Sequence, residues 1–249
     1  MSGAPVLVKA CLNGARPAGS HPALPVTPEQ LAAAARAAQA AGAGAVHIHP
    51  RDPSGRESLA AADVGAALRA VRAACPGLPV GVTTGAWIVS DAGLRRDLVS
   101  AWTEMPDFAS VNWREEGAED LAGLLLERGV GVEAGLFTLE DAFAFRSSPI
   151  APACLRALVE VRRVEEQEPI ALAAAMDAAL VDLGIDVLHH GFGQDTWGVL
   201  EAALRLGRDI RIGLEDTFTL PDGATAPDNA ALVRAACDLA RSLGRLPSS

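Results

Sequence analysis

The stretch "TPEQLAAAARAAQAAGAGAVHIH", residues 27–49, contains the two kinds of element from which the fold can be predicted. Its first part carries a helix start, because Thr27 can cap the helix, a proline follows, and Gln30 completes a capping box. Gly42 marks the end of this helix. Residues 45–49 then form a short apolar run of the kind found in buried strands. The stretch predicts a helix followed by a strand of a parallel sheet.

The same alternation continues along the whole chain. Short apolar or β-branched runs are each followed by a longer stretch of helical period that is rich in Ala, Leu and Arg. The predicted strands are residues 6–12, 45–49, 78–84, 108–113, 129–135, 154–161, 186–191 and 210–215. Eight strand–helix pairs in 249 residues, without a linker-like break in composition, favour a (β/α)8 TIM barrel over a doubly wound sheet. We expect one barrel domain over residues 1–249.

The charge balance limits the classes of partner. The chain has 31 acidic and 21 basic residues and a formal net charge of −10, so its field repels nucleic acid and anionic membrane surfaces. Neither nucleic acid nor a membrane is therefore expected as a partner. The 4 cysteines form no CxxC pair and no secretory leader is evident, which predicts a cytoplasmic protein. The Ala- and Leu-rich helices that wrap the barrel predict a homo-oligomer of undefined subunit number.

The most informative polar residues are two histidines at the end of the second predicted strand. In such a barrel the active site lies at the carboxyl ends of the strands. His47 and His49 are two residues apart, so both imidazoles point to the same side and can grip one metal ion. Zinc (Zn2+) is the first choice for imidazole ligands joined by one carboxylate. The alternatives are a pair of ordinary polar residues near a loop, or a satisfied core histidine followed by a surface one.

The end of the eighth predicted strand supplies the third candidate ligand. In "RIGLED", residues 211–216, Glu215 stands where the apolar run stops, and its neighbour Asp216 is expected to face the substrate. Arg211 has an even offset from Glu215 and is predicted to share its side of the strand. The alternative is an internal ion-pair layer, although three charged groups are expensive to bury for structure alone.

Other strand ends supply candidate substrate-binding residues. They are Thr83, Thr84, Ser110, Glu133 and, in the loop after the first strand, Arg16. For each hydroxyl, simple strand propensity is the competing interpretation. Of the pair His189 and His190 at the seventh strand, one is expected to face inward or to be covered by a helix. Arg51 and Asp52 either brace the metal ligands or form a plain turn.

Four motifs together resemble the β-keto acid cleavage enzyme family. They are "NGAR" (13–16), "HIHPRDPSGRES" (47–58), "VGVTTG" (80–85) and "RIGLEDT" (211–217), and they occur in the family's order. The resemblance implies a zinc-binding (β/α)8 barrel. It also implies a retro-Claisen exchange, in which a β-keto acid and acetyl-CoA yield acetoacetate and a new acyl-CoA.

The resemblance also implies roles for individual residues. His47, His49 and Glu215 would hold zinc, while Arg211 and Asp216 would be catalytic. Thr83 and Ser110 would bind substrate, and Arg16 lies in the loop that contacts the substrate tail. The sequence departs from the family at Ala86 and Trp87, where another glycine is common, and it is shorter after the fourth strand.

Two alternative functions stay open at this point. A zinc hydrolase is one, because an HxH pair in a barrel also suits water activation. A metal- or ligand-binding barrel without turnover is the other. The glutamate within "RIGLED" favours acyl exchange over hydrolysis, since barrel hydrolases often add further His and Asp ligands on later strands.

Overall fold

The first predicted helix and strand form as their sequence indicates. Thr27 and Gln30 make a complete capping box at the start of a helix that covers Pro28–Ala40. The chain then turns through Gly42, whose φ of 110° lies in a region that residues with a Cβ rarely adopt. It enters a fully buried strand, Ala45–Ile48. The capping box and the glycine therefore define the start and the end of the helix that precedes the strand.

The remaining elements follow the same order in this computed structural model, which describes residues 5–163 and 168–248. The strands are β1 (Pro5–Cys11), β2 (Ala45–Ile48), β3 (Val80–Thr83), β4 (Phe108–Asn112), β5 (Gly131–Leu136), β6 (Arg156–Val161), β7 (Asp186–Gly191), β8 (Asp209–Ile212) and β9 (Leu246–Ser248). The α-helices are α1 (Pro28–Ala40), α2 (Ala61–Ala74), α3 (Ala92–Ser100), α4 (Ala118–Glu127), α5 (Leu139–Ser147), α6 (Pro169–Leu180), α7 (Thr196–Arg205) and α8 (Asn229–Ser242). Strands β1 to β4 end one residue earlier than predicted, and β8 ends three residues earlier because the chain enters a turn after Ile212.

The sheet closes on itself within one chain. Strands β2 to β8 pair in sequence order, and β1 pairs in parallel with both β8 and β2. The predicted (β/α)8 TIM barrel is therefore confirmed. The ninth strand is an addition that the sequence did not predict, and it pairs with the first residues of β1.

The helices bury one apolar stripe each against the outside of the barrel. In α8, for example, Leu232, Val233 and Ala236 are fully buried, whereas the opposite side of the helix carries its charged residues. In the part of the chain that the structure describes, none of the helices combines the length and apolarity needed to cross a membrane.

Ion pairs, in addition to apolar side chains, fill the barrel interior. Lys9 and Glu133 are fully buried and their Nζ and Oε2 atoms lie 2.5 Å apart. Arg156 approaches the other oxygen of Glu133 at 3.4 Å and Asp209 at 3.9 Å. These opposite charges compensate one another inside the barrel, and they account for buried polar residues that lie away from the strand ends.

Candidate metal centre and active site

A cavity of about 390 Å³ opens at the carboxyl ends of the strands. Most of the predicted site residues line it, namely Arg16, His47, His49, Thr83, Ser110, Arg211 and Glu215. The other lining residues include several that were not assigned a role from the sequence, among them Trp87, Phe137, Glu160, Arg162 and Phe192. The strand ends thus bring the imidazole, carboxylate, hydroxyl and guanidinium groups of the candidate site to one place.

His47, His49 and Glu215 converge at this cavity. One ligand atom from each lies within 4.8 Å of the other two. Glu215 Oε2 lies 4.0 Å from His47 Nε2 and 3.7 Å from His49 Nε2. Bonds of about 2.0–2.2 Å to zinc place two ligand atoms at most about 4.4 Å apart. Both distances to Glu215 fit that limit.

The hydrogen bonding and protonation of these groups suit a bound cation. Glu215 Oε2 is buried and accepts no hydrogen bond from any of the described residues. An orphaned carboxylate oxygen facing two imidazoles is costly unless a positive charge compensates it. Burial lowers the pKa of His47 well below its ordinary value, and the neighbouring His49 adds to the shift. His47 is therefore neutral, as a metal-binding imidazole must be.

His49 is oriented by a carboxylate that sequence reasoning missed. Its Nδ1 lies 2.6 Å from Glu57 Oε1, and Glu57 also accepts from the indole N–H of Trp87. Burial raises the pKa of Glu57, but the bonds from His49 and Trp87 outweigh it, so the net pKa is lowered. An ionised Glu57 accepts a hydrogen bond from Nδ1–H, which leaves the lone pair of Nε2, the nitrogen on the Glu215 side, free to bind a metal ion.

The loops that carry the ligands are fastened by two asparagines and a glycine. Asn13 bonds both the N–H and the carbonyl of His49 at 2.9 Å. Asn229 accepts from Leu214 N–H and donates to the carbonyl of Leu12, which ties the turn after β8 to β1. A Cβ at Gly14 would lie 2.4 Å from the Glu215 side chain, and its φ of 56° is left-handed. Gly14 is thus required for Glu215 to fit, whereas Asn13 fastens His49.

Arg211 and Asp216 form a buried pair next to the candidate ligands. The Arg211 guanidinium donates to Asp216 Oδ1 at 2.8 Å and to Glu215 Oε1 at 2.5 Å. β8 ends at Ile212, so strand alternation does not reach Glu215, and a turn after β8 brings it back to Arg211. Burial raises the pKa of Asp216, but the charges of Arg211 and His190 outweigh it and lower the pKa to about 2. Asp216 is therefore ionised near neutral pH, and it holds Arg211 in place.

The two histidines of β7 face opposite sides. His190 is fully buried, with Nε2 2.9 Å from Glu160 Oε2 and Nδ1 3.4 Å from Asp216 Oδ1. His189 instead contacts Asp177 of α6 at 2.9 Å. His190 is thus the member that faces the barrel interior, and His189 is covered by a helix.

Two candidate substrate-binding residues lie away from the cavity surface. Thr84 donates its hydroxyl to the carbonyl of Ser110, and Glu133 is held by Lys9 and Arg156. Neither is among the residues that line the cavity. Glu133 lies in the first half of β5, deeper in the barrel than the strand end that the sequence predicted for it. The structure does not bring these two residues to the site.

The turn after His49 separates the two interpretations of Arg51 and Asp52. Asp52 caps its own turn by accepting from Ser54 and Arg56, so it does not contact the histidines. Arg51 donates to the carbonyls of Gly14 and Arg16, at 3.1 and 2.6 Å, and thereby joins the loops after β1 and β2. The carboxylate that orients a candidate metal ligand is instead Glu57, which contacts His49.

Comparison with known proteins agrees with the predicted resemblance. The model of the beta-keto acid cleavage enzyme family matches residues 5–249. A 3-keto-5-aminohexanoate cleavage enzyme of Fusobacterium nucleatum is 24% identical and covers 96% of this chain and 93% of that protein. A 3-oxoadipate:acetyl-CoA acetyltransferase of Cupriavidus necator is 26% identical, with 97% and 90% covered.

Solved structures share the fold. The complex of ObcA with oxaloacetate has a TM-score of 0.68 at 19% identity, and the match covers 91% of this chain. This chain spans only 66% of the ObcA chain. A 3-dehydroquinate dehydratase of Geobacillus kaustophilus has a TM-score of 0.64 at 13% identity, with 94% and 91% covered. At these identities the likeness concerns the barrel alone. The family match extends over nearly the whole sequence, and this chain belongs to the β-keto acid cleavage enzyme family.

Proposed function

We propose that this enzyme catalyses a zinc-dependent exchange in which a β-keto acid and acetyl-CoA yield acetoacetate and a new acyl-CoA. The observation that carries the proposal is the convergence of His47, His49 and Glu215 beside the buried Arg211 in one cavity. The names of the two relatives, a β-keto acid cleavage enzyme and an acetyl-CoA acetyltransferase, support the same chemistry.

Two imidazoles and one carboxylate form a donor set that suits zinc and leaves a coordination position for a ligand. His47, His49 and Glu215 would hold the ion. When bound, zinc supplies a Lewis acid that favours negative charge on the substrate's oxygen atoms. The buried Arg211 guanidinium adds a second positive charge at the same cavity.

The chain's own groups then orient the substrate. The hydroxyls of Thr83 and Ser110 line the cavity and can donate hydrogen bonds to the substrate carboxylate. Asp216 accepts from Nε and from one terminal nitrogen of Arg211, which holds the guanidinium plane fixed toward the cavity.

The exchange needs no external oxidant, and it neither consumes nor releases a proton overall. A proton leaves C2 of the β-keto acid, and C2 attacks the thioester carbon of acetyl-CoA, which expels the CoA thiolate. The thiolate attacks the original keto carbon, and the bond between that carbon and C2 breaks. C2 recovers a proton, which gives acetoacetate and the new acyl-CoA.

A substrate panel tests this function. Metal-loaded protein is incubated with acetyl-CoA and a series of β-keto acids, and new CoA thioesters are read by mass spectrometry. We expect at least one acid to give both its acyl-CoA and acetoacetate, and neither when acetyl-CoA is omitted. Hydrolysis of esters or amides without any new thioester would instead support the zinc hydrolase. Absence of both activities would support the non-catalytic barrel.

Two arginines at the cavity indicate the charge of the substrate tail. Arg16 donates to the carbonyls of Glu215 and Asp216, at 3.1 and 3.4 Å, and Arg162 lies over the Phe192 ring at 3.9 Å. Neither forms a salt bridge with any carboxylate of residues 5–163 or 168–248. Guanidiniums that have no carboxylate partner among the described residues, in a chain of net charge −10, favour an anionic ligand. We propose that the substrate tail carries a carboxylate.

Replacement of Arg16 with alanine tests the tail assignment. Hydrogen bonds to charged groups contribute about 1.5–3 kcal/mol, so KM for 3-oxoadipate is expected to rise about 10-fold or more. KM for 3-oxohexanoate, which has the same chain length but no tail charge, should change little. The surface variant Arg36→Ala serves as the control, and steady-state kinetics is the measurement. Equal KM increases for both acids would refute the tail assignment and would make Arg16 a residue that holds the turn of Glu215 and Asp216.

A further inference from the structure

One carboxylate at the cavity has no role in the scheme above. Glu160 lies near the carboxyl end of β6, is only 5% exposed, and lines the cavity. A buried acid that faces a reaction cavity is expensive to retain unless neighbouring groups compensate it or chemistry uses it.

Neighbouring residues contact the Glu160 carboxylate and leave space for it. Its Oε2 lies 2.9 Å from His190 Nε2 and 3.9 Å from a terminal nitrogen of Arg211. Its Oε1 occupies space that a side chain on β5 would fill, since a Cβ at Gly135 would lie 2.7 Å from that oxygen. The sequence thus places a glycine on β5 where β6 supplies an acid.

The charges around Glu160 keep it ionised. Burial raises the pKa of this carboxyl, but His190, Arg211 and Lys9 together outweigh burial, so the net pKa is lowered. An ionised carboxylate can accept a proton from a substrate.

Asp216, the acid to which the family resemblance assigns a catalytic role, is less well placed for proton transfer. It is fully buried and is not among the described residues that line the cavity. Its oxygens accept from Arg211, and its Oδ1 lies 3.4 Å from His190 Nδ1. His190 therefore lies between Glu160, which faces the cavity, and Asp216, which does not.

We propose that Glu160 is the base that removes the C2 proton of the β-keto acid and returns a proton to C2 of the acetoacetate product. The C2–H bond breaks and an O–H bond forms on Glu160, while the electron pair stays on C2 for attack on the thioester. After the old carbon–carbon bond breaks, the proton passes back and the carboxylate is restored. His190, held between the two acids, is a positioning residue. This inference rests on the proposed function.

The test isolates the proton transfer from the acyl exchange. Metal-loaded protein is incubated in D2O with the β-keto acid and no acetyl-CoA, and deuterium at C2 is followed by NMR against an enzyme-free sample. General bases contribute about 10²–10⁴-fold, so Glu160→Gln is expected to slow enzyme-dependent exchange at least 100-fold. Glu160→Asp should retain a partial rate, because a shorter carboxylate remains. The surface variant Glu127→Gln should exchange as the wild type does.

Metal content and thermal melting of each variant show that the fold and the ligands are intact. An Asp216→Asn variant is assayed in parallel. The proposal is overturned if folded, metal-loaded Glu160→Gln exchanges at the wild-type rate, or if the wild type exchanges no C2 hydrogen above background. Loss of exchange in Asp216→Asn alone would move the base to that residue. A wild type that exchanges C2 hydrogen but forms no new thioester would refute the acyl exchange and leave the base assignment supported.

Discussion

Replacement of His47 or His49 with alanine is expected to remove the bound zinc and to abolish acyl exchange. Only three side chains of the described chain converge as ligands, so each variant leaves two. Loss of an outer-shell partner alone lowers metal affinity about 10–100-fold in metalloproteins, and loss of a direct ligand should exceed that. We expect elemental analysis after dialysis to find about one zinc per wild-type chain and less than about 0.1 in either variant.

A matched control separates ligand loss from general damage. His189 lies on β7 next to the interior-facing His190, but it contacts Asp177 of α6 instead of the cavity. His189→Asn should therefore retain its zinc even where it lowers the melting temperature. Stoichiometric zinc in both His47→Ala and His49→Ala would refute the ligand assignment.

The histidine pair could be predicted from sequence because its geometry is local. Strand alternation places residues two apart on one side, and the strand that contains His47 and precedes His49 is short and fully buried. Glu215 is different, since β8 ends at Ile212 and the direction of Glu215 depends on the turn after the strand. Position at a strand end identified the residue, but its contact with the histidines depends on Gly14, which comes from the far end of the chain.

Glu57 was missed because a turn, and not a spacing rule, brings it to His49. The chain reverses after the histidines and forms an antiparallel bridge between Arg51 and Glu57. Asp52 is nearer in sequence and was the candidate brace, yet it is used within the turn itself. An acid placed where such a turn returns toward its strand is the signal that could have identified Glu57.

Strand ends also differ in depth, which explains the other discrepancies. Glu133 was predicted near the end of its strand, but β5 continues to Leu136 and leaves Glu133 paired with Lys9 in the interior. Glu160 carried a signal that was not used, because it is a charged residue within an otherwise apolar strand end, followed by Arg162. The stagger of strands in a closed barrel decides which of these charges reaches the cavity.

Replacement of Arg211 with alanine is expected to leave zinc bound while acyl exchange falls about 100-fold to 1,000-fold, the range for loss of one preorganised oxyanion donor. Arg211 contacts Glu215 through its other oxygen, Oε1, whereas Oε2 faces the histidines, so the metal ligands should remain in place. The measurements are thioester formation by mass spectrometry and zinc by elemental analysis.

A conservative variant is needed because alanine would leave two acids without their buried partner. Arg211→Lys keeps the positive charge, but one ammonium cannot reproduce the paired donation to Glu215 and Asp216. It should fold more stably than Arg211→Ala and recover only part of the rate. The surface variant Arg205→Ala, whose lost partner is the exposed Glu201, should behave as the wild type. An unimpaired rate in folded Arg211→Ala would remove this guanidinium from the reaction, and zinc loss in both variants would make its role one of holding Glu215.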